Sequence, residues 1–247
     1  MSAFLVRGVL VDTGFPDAAG ALARYVATAR PDGCLVTHFH EDHSGGVAAV
    51  ARAGVPVWMD ARTADRVRRP KRIGFYRRYT WGSPSPVGAF TPFTPPASLE
   101  CIATPGHSDD HHAVWERETG TLFGGDLFIG VKVRGSHASE QPRTLVRSLR
   151  QAITLRPQRL FDAHRGLVAN PVALLTAKAD WLEQTIASID ALIAEGLRDT
   201  VIARRVLGND WFNRAFTVGD YTMRNLVRSA RLTAPDTGPR DSGKISR

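Results

Sequence analysis

The chain reads as an α/β (α+β) domain, and three observations carry that reading. Short apolar runs end abruptly in turns rich in Gly, Pro, Asp and His: Leu10-Val11, Gly33-Cys34-Leu35-Val36, Leu99 to Ala103, Thr121-Leu122-Phe123 and Arg159-Leu160-Phe161. Runs this short, bounded by turn residues, read as buried strands. A helix start follows one of them at Gly45-Gly46-Val47-Ala48-Ala49-Val50-Ala51, and the last third of the chain is helical. The 247 residues are enough for one large core, and layered domains of this size often stay single.

Taken in order, Ala3 to Val6 is a first short strand, turned at Arg7-Gly8 into Leu10-Val11. Between Arg62 and Pro96 the periodic pattern breaks. Arg66 to Arg72 is strongly basic, Phe75 to Trp81 interleaves aromatics with arginine, and Ser83-Pro84-Ser85-Pro86 and Thr91 to Pro96 are turn-rich. This stretch is either a substrate-facing lid for an anionic partner or a solvated basic helix end with a surface loop. Pro171 to Glu195 predicts a long amphipathic helix, with Leu174, Leu175, Ala179, Leu182, Ile186, Ile189 and Ile193 near helical spacing. A second helix runs from Thr200 to Leu207 behind Asp199, and a third begins at Thr217 or Asp220 and reaches Leu232. Residues 234–247 are Pro-, Gly- and polar-rich and are expected to be disordered.

The chemistry sits at the strand ends. Thr37 to Gly46 places His38, His40, Asp42 and His43 within six positions, directly after a strand. Neutral imidazole is the commonest metal ligand, and carboxylate oxygen completes sites for zinc and similar ions. A lone histidine is usually structural; four candidate donors on one strand-to-helix turn are a different matter. Three more turns repeat the pattern: Thr104-Pro105-Gly106-His107, Gly124-Gly125-Asp126 and Ala163-His164-Arg165-Gly166. Open α/β sheets place their chemistry at this end of their strands.

On these motifs, from about Val9 to Gly166, the chain resembles the metallo-β-lactamase-fold superfamily of metallohydrolases. Leu10-Val11-Asp12-Thr13-Gly14 resembles the strand and turn before that family's metal loop. The resemblance implies a four-layered αβ/βα sandwich, here with a helical C-terminal extension. It implies a catalytic core over residues 1–170, an extension over 171–233 and a tail over 234–247. It also implies one or two strands ahead of Leu10, where only Ala3 to Val6 can serve. His38, His40 and His107 would hold one metal, Asp42, His43 and His164 a second, and Asp126 would bridge them. Asp12 would steady the metal loop by hydrogen bonds, or be a plain turn aspartate. Asp110 and His111 would support the ligands from behind, and His112 is read as structural.

Two Zn²⁺ suit this imidazole and carboxylate set, with Fe or Mn as alternatives. The implied reaction uses a metal-bridging hydroxide, since metal binding lowers the pKa of water from about 15.7 toward about 7. Asp42 and Asp126 would be the catalytic carboxylates, with Asp42 handling protons. Lys132, Arg134 and His137 alternate after Asp126 and, if extended, share one face. With Arg165 they are candidates to grip a substrate anion. Arg165 is also a departure, because many relatives carry Gly-His-Gly at this turn.

Composition narrows the reading. The net charge is +8, which fits small anionic substrates and also admits nucleic acid. Cys34 and Cys101 lie in apolar runs and read as reduced core residues. No charged-plus-apolar signal segment opens the chain, so cytoplasmic residence and no membrane partner are expected. The C-terminal helices, with Arg204, Arg205, Arg224, Arg228 and Arg231, loosely resemble a helix-turn-helix or winged-helix appendage. The turn after Thr104 together with this appendage resembles the β-lactamase-like protein 2 branch, for which RNA cleavage is implied. A helical cap or homodimer contact is the reading preferred here. The leading functional expectation is a hydrolase of a small ester, thioester or lactone, in the manner of the hydroxyacylglutathione hydrolases. A phosphodiesterase or endoribonuclease of the same fold is the alternative. A di-iron redox enzyme or a metal-stabilised regulatory module is the third.

Overall fold

The computed structural model describes residues 1–233, so the tail expected to be disordered lies outside the described residues. Two sheets are built from the short runs. In the first, β1 (Phe4–Val6) pairs antiparallel with β2 (Val9–Val11), and β3 (Gly33–Leu35) and β4 (Val57–Trp58) extend it in parallel, in the order β1-β2-β3-β4. Ala3 to Val6 thus supplies the edge strand. The parallel pairs need crossovers. Helix α1 (Ala19–Ala29) joins β2 to β3; α2 (Glu41–Ser44) and α3 (Val47–Arg52) join β3 to β4. Helices α4 (Ala61–Arg68) and α5 (Phe75–Trp81) follow, so two helices occupy the stretch that the sequence presents as a break in pattern.

The second sheet has the order β10-β9-β7-β6-β5, from β5 (Leu99–Ala103), β6 (His112–Glu116), β7 (Thr121–Phe123), β9 (Arg159–Asp162) and β10 (Gly166–Val168). Helix α6 (Pro142–Thr154) carries the chain from β7 to the parallel β9. A short strand between them, β8 (Ser136–His137), pairs with β11 (Tyr221–Thr222) near the C-terminus.

Three apolar layers explain the stacking. Val9, Val11 and Leu35 of the first sheet meet Leu99, Val114 and Phe123 of the second, so the sheets pack face to face. Leu10, Cys34 and Val57 face the other way, onto Val26, Val47, Val50 and Val67 from the first sheet's helices. Leu122 and Leu160 face α6 and α7 (Pro171–Ala194) through Leu145, Leu149, Leu175, Ala179 and Leu182. The order helix, sheet, sheet, helix is the four-layered arrangement expected.

Helix α7 takes part in two apolar clusters. The first half of α7 belongs to the second sheet's outer layer, while its end, at Ile189, packs on α8 (Asp199–Val206) and α10 (Met223–Leu232) through Ile202, Val227 and Ala230. Between these lies α9 (Trp211–Phe216), which the sequence pattern did not suggest. The third helix begins at Met223, capped by Thr222, whose hydroxyl accepts from the Asn225 amide at 3.1 Å. No helix among the described residues is long and apolar enough to cross a membrane.

Both cysteines are free, Cys34 buried and Cys101 half-buried. Burial, followed by the Asp12 carboxylate, pushes the Cys34 thiol well up, and burial then Glu100 push Cys101 to about 12. Thiolate is the reactive form. Labelling with a thiol reagent at pH 8 should therefore be negligible in the native protein and reach two thiols per chain after denaturation.

Candidate metal centre

Four strand ends deliver the candidate donors. The turn after β3 is pinned by Asp12, which follows β2 and is held at φ +62°, an unfavourable region for most side chains. Its carboxylate accepts from the Thr37 amide at 2.8 Å and the Thr37 hydroxyl at 3.0 Å, and meets His43 Nδ1 at 2.8 Å. Asp12 therefore orients His43 and leaves its Nε2 facing the site. The His112 amide donates to the Thr37 carbonyl at 2.8 Å, tying β6 of one sheet to the metal loop of the other. After β7, Gly125 adopts φ +51°, and a Cβ there would lie 2.7 Å from His111 Nε2. That close approach is what brings Asp126 into the centre.

The side chains converge on two groups. Donor atoms of His38, His40, His107 and Asp126 all lie within 4.8 Å of one another, and so do those of Asp42, His43, Asp126 and His164. Asp126 belongs to both: one oxygen is 3.2 Å from His107 Nε2, and the other is 3.1 Å from His43 Nε2 and 3.2 Å from His164 Nε2. His164 Nε2 is 3.4 Å from Asp42. His40 Nδ1 faces His38 Nε2 at 3.0 Å and His107 Nε2 at 2.9 Å. A single ring N–H can satisfy one of those contacts, whereas a cation between them satisfies all three nitrogens. His43 Nε2 and Asp126 Oδ1 are buried with no hydrogen-bond partner among the described residues. Orphaned buried donors and acceptors are costly, and a pair of divalent cations fits this set.

The electrostatics agree for the first group. Burial, then crowding by neighbouring imidazoles, holds His38 well below the usual histidine range; burial dominates likewise for His40 and His111, and lowers His107 to about 4. These rings are neutral, the form that ligates metal. Burial would lower His43 too, but Asp126, Asp12 and Asp42 carry it well above the usual range.

A family model described as the metallo-beta-lactamase superfamily matches residues 2–164. The chain belongs to that superfamily. A beta-lactamase-like protein 2 homolog of Drosophila melanogaster is 29% identical over 181 residues, covering 67% of this chain and 57% of that protein. An atrochrysone carboxyl ACP thioesterase of Aspergillus fumigatus is 28% identical over 200 residues, covering 77% of this chain and 44% of its own. The chain spans about half the length of the curated relatives it matches. A metallo-beta-lactamase family protein from Thermus thermophilus superposes with a TM-score of 0.63 at 20% identity, over 93% of this chain and 86% of that one, which establishes the shared fold.

Asp110 and His111 stand behind the two donor groups. Asp110 accepts from the Phe39 amide at 3.0 Å and the Thr63 hydroxyl at 2.7 Å, fixing the metal loop to α4. His111 sits between Thr104, whose hydroxyl is 2.8 Å from Nδ1, and the Asp126 amide, which donates to Nε2 at 3.1 Å. His112 contacts the Asp110 carbonyl through Nδ1 at 2.9 Å and packs edge-on to Trp58, a structural place.

A cavity of about 550 Å³ opens onto the metal-facing residues His40, Asp42, His107, Asp126 and His164. Lys132, Arg134 and Arg165 line it, but His137 does not. The segment from Leu127 to Gly135 is a series of bends rather than an extended strand, so the alternation expected to align Lys132, Arg134 and His137 fails. His137 instead pairs with Tyr221 in the β8–β11 ribbon and lines a neighbouring cavity of about 820 Å³. The Arg165 Nε donates to the Ile129 carbonyl, which anchors its stem beside the opening.

Sequence reasoning missed four supports. Arg77 of α5 is buried against Glu41 of the metal loop, its Nε donating to Oε1 at 2.6 Å and its Nη2 to Oε2. The basic aromatic stretch is thereby an anchored wall, with Tyr76 and Trp81 in the cavity lining. Asp162 accepts from the amides of His164 and Arg165, both at 2.9 Å, and of Ile129 at 2.6 Å, shaping the last turn. Buried Lys178 donates to the carbonyls of Leu127 and Phe128 at 3.0 and 2.5 Å; a lysine on the apolar stripe of the long helix was a readable signal. Glu140, pushed by burial to about 7, lies 3.6 Å from His107 Nδ1.

Removing one partner of a buried ion pair leaves an uncompensated charge. Arg77→Ala should destabilise the protein by about 3–5 kcal/mol, measured as a lower midpoint in urea, while Arg77→Ala with Glu41→Gln should recover part of that loss.

Proposed function

We propose that the chain is a binuclear metal-dependent hydrolase of a small anionic ester, thioester or lactone. The observation that carries this is the pair of donor groups sharing Asp126 at one end of a cavity whose wall holds Lys132, Arg134 and Arg165. His38, His40, His107 and Asp126 would hold one cation, and Asp42, His43, His164 and Asp126 the other. When bound, such cations lower the pKa of water and polarise a carbonyl or phosphoryl oxygen. The chain's own residues do the rest. Asp126 sits between the two groups and neutralises part of the paired charge. Asp42 and Asp126 both approach His164 Nε2, at 3.4 and 3.2 Å, and from there Asp42 can take and return a proton at its carboxylate. The three cations at the wall hold the substrate anion. The donor set, imidazole and carboxylate without thiolate, suits zinc and accepts iron or manganese. The thioesterase named among the relatives supports an acyl-transfer substrate.

A phosphodiester substrate is the second reading, favoured by one observation. Arg66, Arg69, Lys71 and Arg72 line the adjacent cavity, which shares Glu41 and Arg77 with the first. Contacts to nucleic-acid phosphates would appear as RNA binding that weakens steeply with added salt.

Metal analysis of purified protein should give about two divalent cations per chain, and fewer than one in Asp126→Ala. Among a thioester, a lactone and a bis-phosphodiester, one substrate should be turned over by wild type and not by the variant. Absence of bound metal after zinc supplementation, or full turnover in the variant, would sink the hydrolase reading.

Asp12→Ala removes the carboxylate that orients His43 through Nδ1. It should weaken zinc affinity about 10- to 100-fold in a chelator competition, with the secondary-structure spectrum retained.

A further inference from the structure

The cavity wall contains more exposed aromatic surface than folding explains. Phe212 and Phe216 of α9 line the cavity yet are 62% and 60% exposed. Large apolar side chains left open in a cavity mouth mark a surface that something else covers. The rings line one cavity in two places. Phe212 stacks on Phe216 with centroids 5.9 Å apart and Phe216 lies 5.0 Å from Tyr76, while Trp81, on the same helix as Tyr76, reaches within 6.3 Å of the His164 ring. Aromatic side chains thus line the same cavity both at its exposed wall and beside His164. Lys132 and Arg134 belong to the same wall and make no ion pair among the described residues. The two features are fixed to each other, because Asn213 Nδ2 of α9 donates to the Arg134 carbonyl at 2.6 Å.

We infer that this wall selects a substrate built on a planar aromatic ring system that bears a carboxylate. The inference rests on the hydrolase reading for its reaction, but the binding it describes stands apart from turnover. Ring faces and edges give a flat substrate contacts that an alkyl chain of equal length lacks, a difference of about tenfold in affinity. The unpaired cations then meet the carboxylate.

The test is calorimetric titration of the zinc-loaded protein with two probes of like charge, a naphthalene dicarboxylate and octanedioate. Wild type should bind the aromatic diacid about tenfold more tightly. Phe212→Leu with Phe216→Leu keeps apolar bulk but removes the rings, and should bring the two affinities together. Lys132→Ala with Arg134→Ala should weaken both diacids alike and leave their ratio unchanged. Equal affinities in wild type, no binding of either diacid, or a ratio untouched by the leucine pair would overturn the inference. Ring preference without turnover of any panel substrate would instead remove the hydrolase reading and leave the aromatic site standing.

Discussion

The structure depends on holding mutually unsatisfied donors together out of water. His40 Nδ1 faces two other ring nitrogens at about hydrogen-bond distance, and Asp126 is approached by three imidazoles. Left to themselves, such groups would turn toward solvent. They stay because each is mounted on a strand end whose other side is committed to packing. The apolar layer between the sheets, from Leu35 to Phe123, fixes the distance between the turn after β3 and the turn after β7. The His112 amide on the Thr37 carbonyl then locks one sheet's turn to the other. Rotation of either sheet would break the core and the site together.

A second tier of groups makes that placement specific. Asp12 holds His43, Asp110 holds the backbone at Phe39, His111 holds the Asp126 amide and Asp162 holds the His164 amide. Each spends a buried polar atom on one donor-bearing turn. Asp12, His111 and Asp162 define the frame through the hydrogen bonds they make, whereas His43 Nε2 and Asp126 Oδ1 are buried without a hydrogen-bond partner among the described residues, which is what a bound cation would supply.

The legibility of the sequence follows the same division. The seven candidate donors were readable because they cluster locally: four stand within six residues, and the others recur after short strands. The layered fold was readable for the same reason. What escaped reading depends on distant pairing. Glu41 and Arg77 are 36 residues apart and look like two ordinary surface charges until α5 folds over the metal loop. The bends after Asp126 replace an expected strand because the Lys178 ammonium takes the carbonyls of Leu127 and Phe128, which a strand would have given to a neighbour. Helix α9 spans Trp211 to Phe216 and buries none of its residues, so it carries no periodic apolar face to announce it.

That last feature bears on how the molecule divides its work. The donors come from residues 38–164, within the superfamily match. Much of the cavity wall comes from elsewhere: Tyr76 and Trp81 from the long connection after β4, Phe212 and Phe216 from α9, and Tyr221 from β11. The extension is fastened to the core at the site itself. Asn225 donates to the Ser136 carbonyl, Ser229 to the Glu140 carbonyl and Asn213 to the Arg134 carbonyl. The candidate donors other than His164 are therefore buried, while Phe212 and Phe216 of the wall are exposed. Changes in the wall need not disturb the donors, because no side chain of α9 contributes to the groups that converge on Asp126. Donor groups and cavity wall are therefore separable in this chain, and the C-terminal segment contributes to the wall without supplying a donor.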